Sequence, residues 1–427
     1  MIFSRPTAGA RLGPRFHWIW AAVTISSIGD GMRAVALPLL AAQITDDARQ
    51  IALVALAGQL PFLLFSLASG VLSDRVDRRR ILWIVDGLRA LLMGALTVVV
   101  ATQDLALGVV VAAGFLLATG QVFFNGGWAG MVPAIVEPGM LPKANARLQI
   151  SVLVTGGLLG TPVGAFLFDI SPAVPLIVDT ATFAIAAVLV MRMPGPLQRR
   201  GDTPAGGPAA WGRDIAESVA WLIRHPLLNR LLLLTVLTNM TIGGVMAVLV
   251  LFAHESLGLS SFGYGVLTSA FAVGGLIGAA VSPYLVSRVR TSRLLRLGLL
   301  GIGLVGIGIG VAPSGFVACL FSLGFGVVNA VWALLVVSLR QTAVPTALLG
   351  RVSMATQMLV VGASALGAPI AGAVAHAMGP RAPIVAGAAV LALCGCLVSM
   401  RVADTTLPAG SQEPGPSRAE TGSTTAT

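Results

Sequence analysis

Residues 70–80 read Gly-Val-Leu-Ser-Asp-Arg-Val-Asp-Arg-Arg-Arg, a cluster of acidic and basic side chains between two long apolar stretches. Charge is scarce in this chain, because charged residues make up 10% of it and hydrophobic residues 56%. Charged side chains are costly inside lipid, so such a block indicates a loop at the membrane surface. The stretch therefore predicts a hairpin between two membrane helices, and its arginines place that hairpin on the cytoplasmic side.

Apolar runs of membrane-spanning length recur along almost all of the 427 residues. Only helices and closed barrels satisfy every backbone group in lipid, and these runs lack the short alternating pattern of barrel strands. The runs and the turns between them predict an all-α polytopic membrane protein. Its twelve transmembrane helices would form two pseudo-symmetric six-helix bundles.

The basic residues fall in alternate connections between the predicted helices, which sets the topology. An even number of crossings leaves both termini on one side, and the basic side is the cytoplasm. Arg49 and Arg381 are exceptions on the opposite side. We expect a multi-pass protein of the cell (cytoplasmic) membrane. The basic positions are Arg5, Arg11, Arg15, residues 75–80, Lys143, Arg147, residues 199–230, residues 288–296, Arg351 and Arg401.

Composition also divides the chain. We expect an N-terminal bundle over residues 1–192, a cytoplasmic linker over 193–225 and a C-terminal bundle over 226–402. Residues 403–427 are rich in Thr, Pro, Gly and Ser without apolar periodicity, which is typical of a disordered tail. Within the linker, apolar residues at helical spacing predict an amphipathic helix at the inner membrane surface. They are Trp211, Ile215, Val219 and Leu222.

The two bundles resemble each other in sequence. Asn125-Gly-Gly-Trp corresponds to Asn329-Ala-Val-Trp, in the fourth and tenth predicted helices. Gly160-Thr-Pro-Val-Gly corresponds to Gly367-Ala-Pro-Ile-Ala, in the fifth and eleventh. Residues 287–293 are a degenerate repeat of the charged cluster at 74–80, with two of its arginines retained and its aspartates lost. These matches predict two parallel repeats of six helices.

Several function classes are disfavoured. Lys143 is the only lysine and follows a proline, so the chain has no ATP-binding Gly-x-x-x-x-Gly-Lys loop. The net charge of +10 comes from scattered loop arginines, which argues against a nucleic-acid partner. The four histidines fall on separate segments, so we expect no metal and no cofactor. An intramembrane enzyme would need a convergent nucleophile and base, which is not visible, and a receptor or scaffold would need larger extramembrane segments.

With its twelve predicted spans and duplicated halves, the chain resembles the major facilitator superfamily, in its twelve-span drug/proton antiporter type. Residues 70–80 are similar to the family signature G-x-L-x-D-R-x-G-R-R, with Asp77 at the usual glycine. This variant, Ser27-Ile-Gly-Asp-Gly31 and the segment from Val132 to Ala146 resemble the macrolide-efflux and siderophore-exporter branch. The resemblance implies a secondary active transporter that exports small lipophilic or amphipathic compounds by proton-coupled alternating access. Export of one endogenous metabolite, such as a siderophore or natural product, is the alternative, and uptake or uniport stays open.

The resemblance also implies a gate. Asp74 would face the start of the eleventh helix near Arg351 and hold the cytoplasmic side closed, an arrangement favoured by a helix N-terminus and an arginine. The alternative is a loop that only sets topology. The gating candidates are Gly70, Asp74, Arg75, Arg78, Arg79 and Arg351.

The family's antiporter motif lies in the fifth helix and is altered here. Thr161 separates Gly160 from Pro162, and Gly164 follows. Glycines in this helix let a neighbouring helix approach closely, and sliding between the halves is an added use.

Acidic and basic residues inside the spans are candidates for proton coupling. Asp30 lies near the middle of the first helix with Arg33 one turn away, and Asp86 and Arg89 repeat this spacing in the third helix. A structural ion pair is the alternative for each, and it is favoured for Asp86 and Arg89. Asp179 is a weaker candidate.

The resemblance implies that helices one, four, seven and ten line a central cavity. Hydrogen bonds between helices are the alternative role for their polar residues. We expect a monomer whose partners are a small-molecule substrate, protons and the lipid bilayer. The substrate-contact candidates are Gln121, Asn125, Asn239, Asn329 and Trp332.

Overall fold

The computed structural model describes residues 12–102, 105–193, 220 and 222–397. Most of the expected linker helix, with Trp211, Ile215 and Val219, lies outside these residues, as does the expected tail. Leu222 is described and is buried.

Helices account for nearly all of the described chain, and we number them in chain order. The fifth contains a π-helical segment, Leu153–Gly160, and the seventh ends in a π-helical turn, Phe252–Ser256. The helices are α1 (Pro14–Ile44), α2 (Ala48–Arg75), α3 (Arg78–Ala101), α4 (Leu107–Ile135), α5 (Leu141–Ile170), α6 (Ala173–Arg192), α7 (Pro226–Ser256), α8 (Ser261–Arg288), α9 (Thr291–Gly310), α10 (Gly315–Ala343), α11 (Thr346–Met378) and α12 (Arg381–Leu397).

Eleven of these helices are long and apolar enough to cross a membrane. The twelfth, α12, is apolar but shorter, and it ends at the last described residue. The all-α membrane fold predicted from the sequence is confirmed. The twelfth crossing and the cytoplasmic position of the termini stay predictions.

The charged stretch at residues 70–80 forms the predicted turn between two helices. Only residues 76 and 77 separate the end of α2 from the start of α3. The Asp77 side chain accepts a hydrogen bond of 2.9 Å from the backbone N–H of Arg79, so Asp77 caps α3. Glycine is also tolerated as a helix N-cap, which explains how either residue can occupy this position of the signature.

The two halves, α1–α6 and α7–α12, use the same helix pairs. In the first half α1 packs on α5, α2 on α4 and α3 on α6, and the second half repeats this with α7 on α11, α8 on α10 and α9 on α12. Backbones touch where glycine removes the side chain. A Cβ on Gly31 would lie 2.1 Å from the Gly156 oxygen, and one on Gly243 would lie 2.3 Å from the Ser364 oxygen.

The halves meet through α2 against α11 and α5 against α8. Polar contacts join them at the end of the molecule that carries residues 45–47, 171–172 and 379–380, which we call the outer end. There Asp169 Oδ2 accepts a hydrogen bond of 3.1 Å from the backbone N–H of Phe262. His376 Nδ1 lies 3.2 Å from Asp47 Oδ1. The halves are therefore in direct contact at the outer end.

The two basic exceptions to the topology pattern both occupy defined contacts at the outer end. Arg381 donates to the carbonyls of Ser256 (3.1 Å) and Ala312 (3.3 Å), beside the C-terminal ends of α7 and α9. Arginine is favourable at helix C-termini. Arg49 donates to both oxygens of Asp47, at 3.2 and 2.9 Å, and these bonds lower the pKa of Asp47 to about 2.

Candidate functional site

A cavity of about 620 Å³ lies between the two halves, within the size range of small-molecule sites. Residues from α1, α2, α4 and α5 line one side, and residues from α7, α8 and α11 line the other. Its apolar wall includes Leu37, Phe62 and Met246. The polar side chains in its wall are Asp30, Arg33, Gln59, Gln121, Thr161, Tyr264, Thr268 and Ser364.

Asp30 joins the cavity to a buried network of charged side chains. Its Oδ1 lies 2.5 Å from Arg33 Nη2, one turn along α1, and 2.6 Å from Arg89 Nη2 of α3. The Asp30 side chain is 25% exposed, whereas Arg89 is 2% exposed. Asp30 is thus the member of this pair that solvent or substrate in the cavity can reach.

Asp86 and Asp179 lie behind Asp30 and are fully buried. Asp86 Oδ1 lies 3.5 Å from Arg89 Nη1, and Asp179 Oδ2 lies 3.8 Å from Arg33 Nε. These are ion pairs at distances beyond a good hydrogen bond. Helices α1, α3 and α6 therefore contribute three carboxylates and two guanidinium groups to one network.

Asp179 fits beside α1 because Gly29 has no side chain. A Cβ at Gly29 would lie 2.1 Å from Asp179 Oδ1 and 2.2 Å from Thr182 Oγ1. Thr182 also donates a long hydrogen bond of 3.3 Å to Asp179 Oδ1. From the sequence alone Asp179 is a weaker candidate than the other acids, and Gly29, which makes room for it, is the signal that could have raised its rank.

The network is bonded unevenly. Among the described residues, both oxygens of Asp86, Asp179 Oδ2 and two nitrogens of Arg89 are buried without a hydrogen-bond partner. The Arg89 guanidinium stacks 4.0 Å from the centre of the Phe183 ring, which supplies a cation–π contact. Buried charges with incomplete hydrogen bonding cost stability, and in membrane spans they mark functional sites by default.

A short chain of hydrogen bonds leads from this network along α4. Arg89 Nη2 donates to Gln121 Oε1 at 2.6 Å, and Gln121 Nε2 donates to Asn125 Oδ1 at 3.0 Å. Gln121 lines the cavity, and Asn125 is exposed one turn further along the same helix.

The remaining substrate-contact candidates lie away from the cavity wall. Asn239 donates to the Thr235 carbonyl of its own helix at 2.9 Å, and Asn329 is half-buried on α10. Trp332 requires correction. It is 2% exposed and packs on Gly298 of α9, where a Cβ would lie 2.8 Å from the indole, so it belongs to the core of the second half.

Four lining residues were not foreseen, namely Gln59, Tyr264, Thr268 and Ser364. They come from α2, α8 and α11, whereas the family resemblance pointed to helices one, four, seven and ten. Each is a polar residue in a long, mostly apolar helix, and that pattern alone does not tell a cavity wall from a helix contact.

The gating candidates are only partly described. Gly70, Asp74 and Arg75 lie in the last turns of α2 and Arg351 lies in α11, but the side chains of Asp74, Arg75 and Arg351 are outside the described residues. The cross-half contact of Asp74 stays a prediction, and Arg78 begins α3.

Arg79 has described contacts within the first half, and its role as a gating residue stays a prediction. Its Nε donates to the Val190 carbonyl at 3.1 Å, and its Nη2 donates to the Met191 carbonyl. Arg79 therefore fastens the start of α3 to the C-terminal end of α6.

The altered motif of the fifth helix lies between α1 and the other half. Cβ atoms on Gly160 and Gly164 would lie 2.7 Å from the Ile28 oxygen and 2.5 Å from Met32 Cα. Pro162 follows the π-helical segment, and Thr161 Oγ1 lies 2.6 Å from Ser269 Oγ of α8. π-Helical turns are frequent at functional sites.

A match over nearly the whole chain shows the family to which the protein belongs. A family model described as "Transmembrane secretion effector" matches residues 11–419. The chain belongs to this family, within the major facilitator superfamily.

Several known proteins match this chain over most of their length. Enterobactin exporter EntS of Escherichia coli O1:K1 / APEC is 26% identical over 406 residues, covering 90% of this chain and 91% of the relative. Enterobactin exporter EntS of Citrobacter koseri is 25% identical over 410 residues, with 91% of each chain covered.

Solved structures of other transporters share the fold. A mutant of the nucleoside transporter NupG superposes with a TM-score of 0.75 at 11% identity, covering 90% of this chain and 99% of that one. A bacterial homologue of the iron transporter ferroportin, in an inward-facing state, gives 0.70 at 16% identity, covering 92% and 100%. The chain is a multi-pass transporter of the cytoplasmic membrane and not an enzyme.

Proposed function

We propose that this transporter exports a small endogenous metabolite of the siderophore class, using the proton gradient and alternating access. The observation that carries the proposal is the cavity of about 620 Å³ between the halves, into which the charged network opens at Asp30. The enterobactin exporters that match along nearly the whole chain support the substrate class.

The polar lining favours a metabolite over a purely lipophilic drug. Gln59 of α2 and Ser364 of α11 present hydrogen-bonding groups to the cavity, one from each half, and no described residue pairs with either side chain. A substrate without matching groups would leave these two side chains unpaired when water is expelled, which is costly. A siderophore offers many oxygen atoms to pair with them.

Alternating access requires the contacts between the halves to break and reform. The Asp169 and Asp47 contacts hold the halves together at the outer end, beyond the cavity. We propose that the structure represents a state closed at the outer end, and that release of substrate requires these contacts to separate. The domain boundaries and cytoplasmic termini expected from the sequence are part of this proposal.

Asp30 is the proposed proton carrier. Its Oδ1 accepts hydrogen bonds from both Arg33 and Arg89, so a proton arriving from the cavity would weaken both contacts at once. Asp86 and Asp179 keep the two arginines in place when Asp30 is neutral. Substrate binding and protonation of Asp30 would then compete, because both act on the contacts between α1 and α3.

Secretion from iron-limited bacteria that lack their own enterobactin exporter tests the proposal. The transporter should restore siderophore in the medium, measured by chromatography of medium and cells. Gly58→Phe should lower secretion about tenfold, because Gly58 lines the cavity and has open space at its Cβ position. Gly87→Phe is the matched control, since Gly87 also has open space but lies outside the cavity lining.

Efflux of lipophilic drugs is the second candidate, favoured by the apolar part of the wall at Leu37, Phe62 and Met246. In the same cells, lower accumulation of macrolides and lipophilic dyes without siderophore secretion would replace the first proposal with this one.

A further inference from the structure

Arg89 fixes the direction of the hydrogen-bond chain on α4. A guanidinium group has donors and no acceptor, so the atom of Gln121 that lies 2.6 Å from Arg89 Nη2 must be the amide oxygen. The Gln121 amide nitrogen therefore points the other way, and the atom of Asn125 that it meets at 3.0 Å must be an acceptor. Each link follows from the one before it.

The chain ends in a donor. With its oxygen occupied by Gln121, Asn125 leaves its amide nitrogen at the free end, and no described residue accepts from that nitrogen. Asn125 is exposed and lies four residues after Gln121, so it extends the face of α4 that lines the cavity through Gly114 and Ala118.

We infer that Asn125 is a specificity-determining residue that donates a hydrogen bond to an oxygen acceptor of the substrate, such as a carboxylate, phenolate or carbonyl. This inference rests on the proposed function and narrows its substrate class. Because Arg89 can only donate, it orients the amide of Gln121 and through it the amide of Asn125, so that a donor faces the substrate. The site therefore favours acceptor-rich or anionic compounds over cations.

The second half does not repeat this arrangement. Asn329 corresponds to Asn125 in the sequence repeat, and the same offset places Phe325 where Gln121 stands. A phenyl ring cannot relay a hydrogen bond. Asn329 therefore provides a matched control for the same chemical change without the arginine-led chain.

Binding to the purified transporter in detergent tests the inference. The probes are dihydroxybenzoate, a catechol carboxylate, and the cation tetraphenylphosphonium, with Kd measured by calorimetry. Asn125→Asp still accepts from Gln121 but replaces the free donor with a carboxylate. We expect the Kd of dihydroxybenzoate to rise at least about tenfold, as when a charge-assisted hydrogen bond is lost, and the Kd of the cation to stay equal or fall.

Two further variants guard against a folding defect or a general charge effect. Asn125→Ala should weaken dihydroxybenzoate about tenfold and change the cation less than about twofold, because it removes the donor without adding charge. Asn329→Asp should change either probe less than about twofold. The inference is overturned if the Asn125 variants leave dihydroxybenzoate binding unchanged, if both probes weaken equally, if Asn329→Asp has the same effect, or if the wild type prefers the cation.

The secretion assay separates this inference from the proposed function. Binding that shows the expected pattern without siderophore secretion by the wild type would leave Asn125 as a donor site and reject the proposed export. Normal secretion by both the wild type and Asn125→Asp would support export and reject the role of Asn125.

Discussion

Arg89 is the residue on which most of the buried network depends. It contacts Asp30, Asp86, Gln121 and the ring of Phe183, and it is almost fully buried. Gly120 on α4 leaves space for it, because a Cβ there would lie 2.8 Å from the arginine side chain. One side chain thus links α1, α3, α4 and α6.

Removing this guanidinium should destabilise the first half. Arg89→Met leaves Asp86 buried without its cation, and breaking a buried ion pair on one side costs about 3–5 kcal/mol. Thermal unfolding in detergent should show a clear drop in Tm. Leu88→Met is the matched control, because Leu88 is adjacent and 60% exposed.

A double variant makes this test sharper. Asp86→Asn combined with Arg89→Met should recover part of the lost stability, because the uncompensated charge is removed with the arginine. An Arg89→Met protein that melts like the wild type would show that this contact is not an ion pair in the folded protein.

Residue patterns in the sequence gave part of this network. The repeated Asp-x-x-Arg spacing predicted that Asp30 could meet Arg33 and that Asp86 could meet Arg89. It did not show that Arg89 also reaches Asp30, because that contact depends on how α1 and α3 pack. Trp332 was misplaced for the same reason, since an aromatic residue in a span fits a cavity wall and a helix interface equally well.

At the scale of elements, close helix packing depends on which glycine faces the partner helix. Gly274 and Gly275 are neighbours on α8, yet a Cβ on Gly274 would lie 2.0 Å from the Leu323 oxygen of α10, whereas one on Gly275 would meet open space. The sequence predicted glycine-mediated contacts only for the fifth helix, and it does not tell Gly274 from Gly275, because the rotation of α8 is set by the whole bundle.

This pair gives a direct test of the packing. Gly274→Ala should lower stability by about 1–3 kcal/mol, because the contacting atom is backbone and cannot move without separating α8 from α10. Gly275→Ala should be neutral or stabilising by up to about 1 kcal/mol, since alanine favours the helix. Thermal unfolding of both variants in detergent measures the difference. Equal losses of stability would contradict the packing described for α8 and α10.

At the scale of the whole molecule, the two halves share a fold but differ in chemistry. Gly160 approaches Ile28 in the first half as Gly367 approaches Met240 in the second, and this match pairs Asp30 with Ile242. Ile242 and Phe325 line a small apolar cavity in the second half, at the positions that Asp30 and Gln121 hold in the first. The two repeats were predictable from the sequence. The chemical difference between their cavities was not, because it depends on which residues meet when the helices of each half pack.

The asymmetry assigns the proposed coupling to one half. In the described part of the second half, Ile242 and Phe325 stand at the positions of Asp30 and Gln121. A proton that enters the cavity would therefore bind the carboxylate of Asp30 on α1. The rocking of the halves would then respond to the charge state of Asp30 and to contacts across α5 and α8, such as Thr161 with Ser269.

Transport into inverted membrane vesicles tests this central claim most directly. With a proton gradient imposed, acidic inside, vesicles carrying the wild type should accumulate labelled enterobactin, and a protonophore should abolish the accumulation. Asp30→Asn should still fold, as judged by its melt, but should lose gradient-driven accumulation because its amide cannot take up and release a proton. Accumulation by Asp30→Asn at the wild-type rate and with the same dependence on the gradient would contradict the account.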